Sequence, residues 1–135
     1  MEIFQNDRSS LNIEHLYTVG AYFTCNIEVK SSGFGGCSNF CISLNDIERT
    51  NKELRDMYKN LKGTVLINDS DSDSFIKLEA KDLGQLLCVG EIGGSYRDHS
   101  VRFSFQADQT ILKRLMYIFT NNEAGSPKDE SNGKA

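Results

Sequence analysis

Histidine is nearly missing from this sequence: 135 residues contain two, His15 and His99. A nucleophile with a base usually needs one, and neither residue sits in a motif, so each reads as a surface or core-rim side chain rather than a catalyst. Long apolar runs are missing too. None approaches the roughly 20 residues needed to cross a bilayer, and Met1-Glu2-Ile3-Phe4 has neither the basic end nor the apolar stretch of a secretory signal. The expectation is a cytoplasmic protein with no membrane partner, its mature form the whole chain. Cysteine is sparse: Cys25, Cys37, Cys41 and Cys88 form no dense framework and read as reduced, small apolar fillers. Positive charge is in deficit, with 15 Lys and Arg against 19 Asp and Glu, a net charge of -4 and a pI near 5.1. No stripe of Lys and Arg interleaved with aromatics appears, which argues against nucleic acid as a direct ligand. An acidic surface suits a basic protein partner, although mild acidity is also the ordinary state of a bacterial cytoplasmic protein. Proline occurs once, at Pro127, inside a stretch from Asn122 to Ala135 with no large apolar residue. Such a stretch cannot offset its ordering entropy, so 122-135 is expected to be a disordered tail behind a single domain over 1-121.

What is present is pattern. Val101, Phe103, Phe105 and Ala107 alternate as one face of a strand. Asp108 then caps a helix striped by Ile111, Leu112, Leu115, Ile118 and Phe119. Phe23, Cys25, Ile27 and Val29 alternate likewise, and the chain returns over Phe34 to Ile42, which predicts a hairpin. Pairing Lys30 with Gly33 across a Ser31-Ser32 turn sets Val29 opposite Phe34 and Phe23 opposite Phe40; Cys25 then faces the core while Cys37 and Cys41 face away. Ser43 opens a helix, with Asp46 placed for a capping box, Ile42 able to staple onto Ile47, and Gly63 as the stop. Leu44, Ile47, Leu54, Tyr58 and Leu61 form its apolar stripe. Four more strands follow near Thr64 to Asn68, Phe75 to Ala80, Gln85 to Ile92 and Ser100 to Ala107, while Asn6 to Gly20 is ambiguous. The expected fold class is α+β: an antiparallel meander sheet of about six strands, one amphipathic helix after the second main strand, and a C-terminal helix.

Sites of recognisable chemistry fail one after another. Asp69, Asp71 and Asp73 imitate the start of a calcium loop, but the sixth position is Ser74 rather than Gly and the twelfth is Ala80 rather than Glu. Cys37 and Cys41 lack the close spacing of a zinc knuckle and have no His pair nearby. The Gly33-Phe34-Gly35-Gly36 run opens no helix that would hold a phosphate. The reading is therefore of a non-enzyme with no metal and no cofactor.

Several short motifs carry a family resemblance. Gly33-Phe34 with Gly36 after a strand, Leu61-Lys62-Gly63 closing the helix, the Leu83-Gly84 turn, Gly90 late in a strand, and Phe103-Ser104-Phe105 running into Asp108-Gln109-Thr110 with Leu112 resemble the small immunity proteins of the wall-associated-protein type. Those proteins are encoded beside contact-dependent or polymorphic toxins in bacteria. The resemblance covers about residues 21 to 120, and departs at Cys37, Cys41 and the loop from Asp69 to Ser74. It implies a cytoplasmic protein that binds and blocks the C-terminal toxin domain of its own strain, a nuclease acting on RNA. Loops carry recognition in small scaffolds. The expected contact residues are Asp69, Asp71 and Asp73, the densest cluster of one sign, with Glu91, Tyr96 and Asp98 beside another loop. The exposed side of the first helix at Glu48, Glu53 and Asp56 is the fallback. A rival reading is a β-sheet module holding a small apolar ligand between sheet and helix, lined by Phe23, Phe34, Phe40, Phe103 and Phe105.

Overall fold

Alternation in the sequence becomes eight strands rather than six. The computed structural model describes residues 1–93 and 99–120. Along the chain run β1 (Glu2–Gln5), β2 (Ser9–Val19), β3 (Tyr22–Ser31), β4 (Phe34–Ser43), α1 (Leu44–Asn60), β5 (Thr64–Asn68), β6 (Phe75–Ala80), a short 3-10 turn (Asp82–Gly84), β7 (Leu86–Gly93), β8 (Ser100–Ala107) and α2 (Thr110–Thr120). The class is α+β, as expected, but the single meander is not. The strands form two antiparallel four-stranded sheets, β1-β2-β3-β4 and β5-β6-β7-β8, with α1 crossing from one to the other. The helix ends the first hydrogen-bonded ladder, and the next strand starts a second one. The whole of the expected tail, 122–135, and residues Tyr96 and Asp98 lie outside the described residues.

The ambiguous stretch Asn6 to Gly20 holds β2, whose period-two signal is broken by a bulge. Its register against β3 runs His15↔Cys25 and then Tyr17↔Thr24, so Leu16 is the extra residue. Leu11 and Ile13 point inward before the bulge and Thr18 after it, while Leu16, Tyr17 and Val19 are exposed. The β3–β4 hairpin is also corrected. Its closing pair is Ser31↔Phe34, with Val29 opposite Gly36 and Phe23 opposite Ile42. The turn residues are Ser32 and Gly33, both at positive φ (53° and 90°), as a two-residue hairpin turn matched to strand twist requires. Because the pairing moves by two residues, facing is preserved: Cys25 is buried and Cys37 is exposed. Phe34 is carried to the hairpin tip, where it is 75% exposed.

One continuous core joins the inner faces of both sheets and both helices. Phe23 stacks on His15 with centroids 4.7 Å apart and meets Phe119 of α2 edge-on at 5.6 Å. Phe4 of β1 stacks on Phe105 of β8 at 5.1 Å. Phe23, Phe40, Phe103 and Phe105 are therefore packing, and with Phe34 exposed they do not line a chamber between sheet and helix.

Both helices start where their caps predict. Ser43 Oγ accepts from the Asp46 N–H at 3.1 Å, but the Asp46 carboxylate turns to Arg49 at 3.0 Å, so only half of a capping box forms. The stop is Leu61, not Gly63: Leu61 adopts the left-handed conformation and its N–H donates to the Met57 carbonyl, and Gly63 follows at φ 98°. At α2 the Thr110 hydroxyl and N–H both donate to the Asp108 carboxylate, which holds that carboxyl below its usual range. Among the described residues no helix is long and apolar enough to cross a membrane.

Leu54 is fully buried on α1, so Leu54→Ala should lower unfolding free energy by about 2–5 kcal/mol in denaturant titration. Burial pushes the Cys25 and Cys88 thiols up to about 12, leaving little thiolate at neutral pH. Under native conditions a thiol reagent should modify Cys37 first, Cys41 more slowly, and Cys25 and Cys88 only on unfolding. Early labelling of Cys25, followed by mass spectrometry, would contradict the hairpin facing.

Candidate functional site

In an antiparallel meander alternate strand ends meet at the same end of the sheet, so the turn between β5 and β6 neighbours the end of β7 and the start of β8. Ser74 Oγ donates to the Gly93 carbonyl at 3.4 Å and ties the two together. This end collects the acidic residues singled out in the sequence, but gives them different jobs.

Asp69 is not a solvated loop residue. It is 8% exposed, and its carboxylate accepts from the Cys41 N–H at 2.9 Å, the Asp71 N–H at 3.2 Å and the Ser72 hydroxyl at 2.6 Å. Its neighbour Ser70 donates its N–H to the Cys41 carbonyl at 2.8 Å. The turn thereby pairs with β4 of the other sheet as a short surrogate strand. These bonds occupy the carboxylate, which removes Asp69 from any docking surface and replaces the calcium-loop pattern with a structural one. Among the described residues no cluster of His, Cys, Asp and Glu could hold a metal ion. Asp71 and Asp73 are exposed.

Glu91 lies on the outer face of the second sheet, half-buried, where it accepts from Arg102 Nε at 3.1 Å. The cross-strand rows explain its surroundings. One row runs Asn68, Phe75, Glu91, Arg102; the next runs Leu66, Lys77, Val89, Ser104; the third runs Thr64, Glu79, Leu87, Gln106. Leu66, Phe75, Leu87 and Val89 thus lie around Lys77, which stands between Leu66 and Val89 on the middle row, with Glu79, Glu91 and Arg102 on the flanking rows; Leu66 is 41% exposed. An open hollow of about 500 Å³ lies here, lined by Phe75, Val89, Gly90, Glu91, Arg102, Phe103 and Ser104. Gly90 is required at its floor. A Cβ there would lie 2.5 Å from the Phe75 carbonyl oxygen and 2.6 Å from the Phe103 ring.

Of the six expected contact residues, the structure brings Asp71, Asp73 and Glu91 to one end of this sheet, turns Asp69 inward, and leaves Tyr96 and Asp98 outside the described residues. Sequence reasoning missed Leu66, Phe75, Leu87, Val89 and Arg102. The available signal was Leu86-Leu87-Cys88-Val89, apolar on both faces of a strand whose sheet packs on one side only. His15 makes a 2.8 Å hydrogen bond with Thr18 Oγ1, and His99 is exposed. Glu48 and Asp56 are exposed on α1 and Glu53 is half-buried, with no apolar centre between them. No protein-family model, no curated protein and no solved structure matches the chain.

Asp69→Ala should cost about 3 kcal/mol, because it strands the Cys41 and Asp71 N–H groups and the Ser72 hydroxyl. Asp71→Asn and Asp73→Asn should each cost less than about 1 kcal/mol. Equal losses for all three in urea titrations would mean that the loop is uniformly solvated.

Proposed function

We propose that the chain is a protein-binding inhibitor, an immunity protein that occludes the C-terminal nuclease domain of a contact-dependent or related polymorphic toxin in the cytoplasm. The observation that carries this reading is the outer face of the second sheet, where four apolar side chains surround Lys77, with further charge on the flanking rows and an open hollow beside them. Leu66, Phe75, Leu87 and Val89 supply area that gains by leaving water, and the charges among and beside them fix orientation, as in a protein interface. Asp71 and Asp73 stand beside it, and the chain's net charge of -4 suits a basic partner. The family resemblance supplies the kind of partner: a nuclease that must itself be basic to hold RNA. An interface of standard size, roughly 1,600 Å² in total, would cover the face and the adjoining loop. Inhibition then needs no chemistry from this chain, only steric coverage of the toxin's substrate groove.

The first test is whether the adjacent gene encodes a large secreted protein with a toxin tail; that tail is then the partner for growth rescue on co-expression and for surface-binding kinetics. Val89→Glu replaces apolar contact area at the middle of the face with a carboxylate opposite Lys77 and should weaken binding by at least about a hundredfold, as expected of a central contact. The Asp71→Asn, Asp73→Asn double variant should slow association at low salt, with the difference closing at high salt, because exposed charges act through screened, long-range attraction. Wild-type affinity in a folded Val89→Glu variant would move the site off this face.

A further inference from the structure

Every open sheet has two edges, and an unpaired edge strand invites another strand unless it is blocked. Three of the four edges here are managed. Strand β1 carries a register shift, and Arg114 of α2 reaches the Glu2 carbonyl and carboxylate, both at 3.5 Å. Strand β4 is plugged at Cys41 by Asp69 and Ser70. Strand β5 is five residues long and has α1 packed beside it. Among the described residues, strand β8 has none of these devices. It runs eight residues without a bulge, contains no Pro, and its one charged residue, Arg102, is held by Glu91.

The hydrogen-bonding parity of β8 follows from its neighbours. Asp69 donates to the Ser74 carbonyl and Ala80 to the Gly63 carbonyl, so the even-numbered residues of β6 bond to β5 and the odd-numbered ones to β7. Alternation then gives β7 residues Leu86, Cys88, Gly90 and Ile92 to β8 residues Ala107, Phe105, Phe103 and Val101. The N–H and C=O groups of Arg102, Ser104 and Gln106 therefore point away from the sheet. All three residues are exposed, and among the described residues nothing bonds to that backbone.

We infer that this edge pairs with β8 of a second copy of the chain, antiparallel and about a two-fold axis at Ser104, joining two sheets into one continuous sheet. The sequence of β8 is self-complementary in that register. Ser104 faces its own copy, and Arg102 faces Gln106. These pairs are all outward-pointing positions, so each exchanges both backbone bonds. No like charges meet: the exposed guanidinium, 86% accessible in the side chain, lies opposite a neutral amide whose oxygen can accept from it. On the inner side Phe103 lies opposite Phe105, an aromatic cross-strand pair. A register moved by four residues would set Arg102 against Arg102, and one moved by two would set Phe103 or Phe105 against its own copy; the Ser104 axis is the one that places Arg102 opposite Gln106 and Phe103 opposite Phe105. Such an interface is isologous, the commonest symmetry of homodimers.

The test needs only the chain itself. Sedimentation over about a hundredfold range of concentration should show a monomer–dimer equilibrium, and hydrogen exchange at the amides of Arg102, Ser104 and Gln106 should slow as the dimer fills. Ser104→Pro removes the N–H at the axis without touching an internal bond, since edge positions tolerate Pro, and should leave a folded monomer. Gln106 gives a second arm that does not depend on that variant folding. Gln106→Lys sets like charge opposite Arg102 at both symmetric positions and should raise the dimer Kd about tenfold, and Gln106→Glu should lower it about threefold to tenfold. A chain that stays monomeric with those amides exchanging freely overturns the proposal. So does a dimer whose Kd ignores both Gln106 substitutions, because it then forms through another surface. No toxin enters these measurements, so their failure leaves the reading of the outer face untouched.

Discussion

The junction of the two sheets turns on one buried carboxylate. Strand β4 is an edge, and at Cys41 its N–H and C=O point toward the turn between β5 and β6. Asp69 accepts that N–H while Ser70 supplies the complementary donor. The same carboxylate takes the Asp71 N–H and the Ser72 hydroxyl, so the turn is folded around the group that attaches it. A neutral side chain could not organise three donors as well, since bonds to an ionised acceptor are roughly twice as strong as those between neutral groups. Position follows from this. With the turn anchored on β4, β6 and β7 are held with Ile76, Leu78, Cys88 and Ile92 facing the first sheet, and Phe75 and Val89 necessarily face away. The outer apolar face is thus a consequence of where the inner one is pinned.

Local rules were legible and long-range ones were not. The Ser43 cap, the Asp108 junction, the buried stripe of α2 and the inward side of β3 all follow from residues within a turn or two of each other. The split into two sheets does not, because strand order depends on which ladder a strand joins after a helix, and period-two alternation is blind to that. Strand β2 was hidden by its bulge, since Leu16 reverses the alternation midway. Apolar pairing of Phe34 with Val29 points to the wrong hairpin register because turn chemistry outweighs it. The positive φ angles at Ser32 and Gly33 decide the matter, and Phe34 is left at the tip. The structural role of Asp69 is hidden because an Asp in an Asp/Ser run looks the same whether its partner is water or a backbone amide 28 residues away in the chain.

The motif residues that suggested a family turn out to meet one another. A Cβ on Gly84 would lie 2.9 Å from the Gln109 amide nitrogen and 3.9 Å from Leu61, so the helix stop, the short turn and the Asp108-Gln109-Thr110 segment form one contact. Gly36 abuts Val101 across the sheets, and Gly90 lies under Phe103. These are packing devices: Gly90 leaves no room for a Cβ, Gly36 sits in tight contact with Val101, and Gly84 holds a positive φ of 76° that favours glycine. They describe how the scaffold closes rather than what it binds. On the proposed reading, recognition would fall to side chains outside those contacts, such as Leu66, Phe75, Leu87 and Val89.

Arg102 stands where the two proposed surfaces meet. Its side chain borders the hollow over Phe75 and Val89, and its backbone faces the open edge of β8. Glu91 fixes the guanidinium from one side only, which leaves its remaining donors to whatever lies across the edge. A dimer joined along β8 would place the two outer faces side by side on one sheet, both still open, with an Arg102 near each end of the paired segment. A partner engaging one face would then find its rim partly built by the neighbouring copy. Coupling between pairing and recognition would run through the orientation of that one side chain, and its sign depends on whether the partner takes the same guanidinium donors that Gln106 of the second copy uses. Competition for those donors gives antagonism; a partner satisfied by Glu91 and the apolar side chains alone leaves the two events independent.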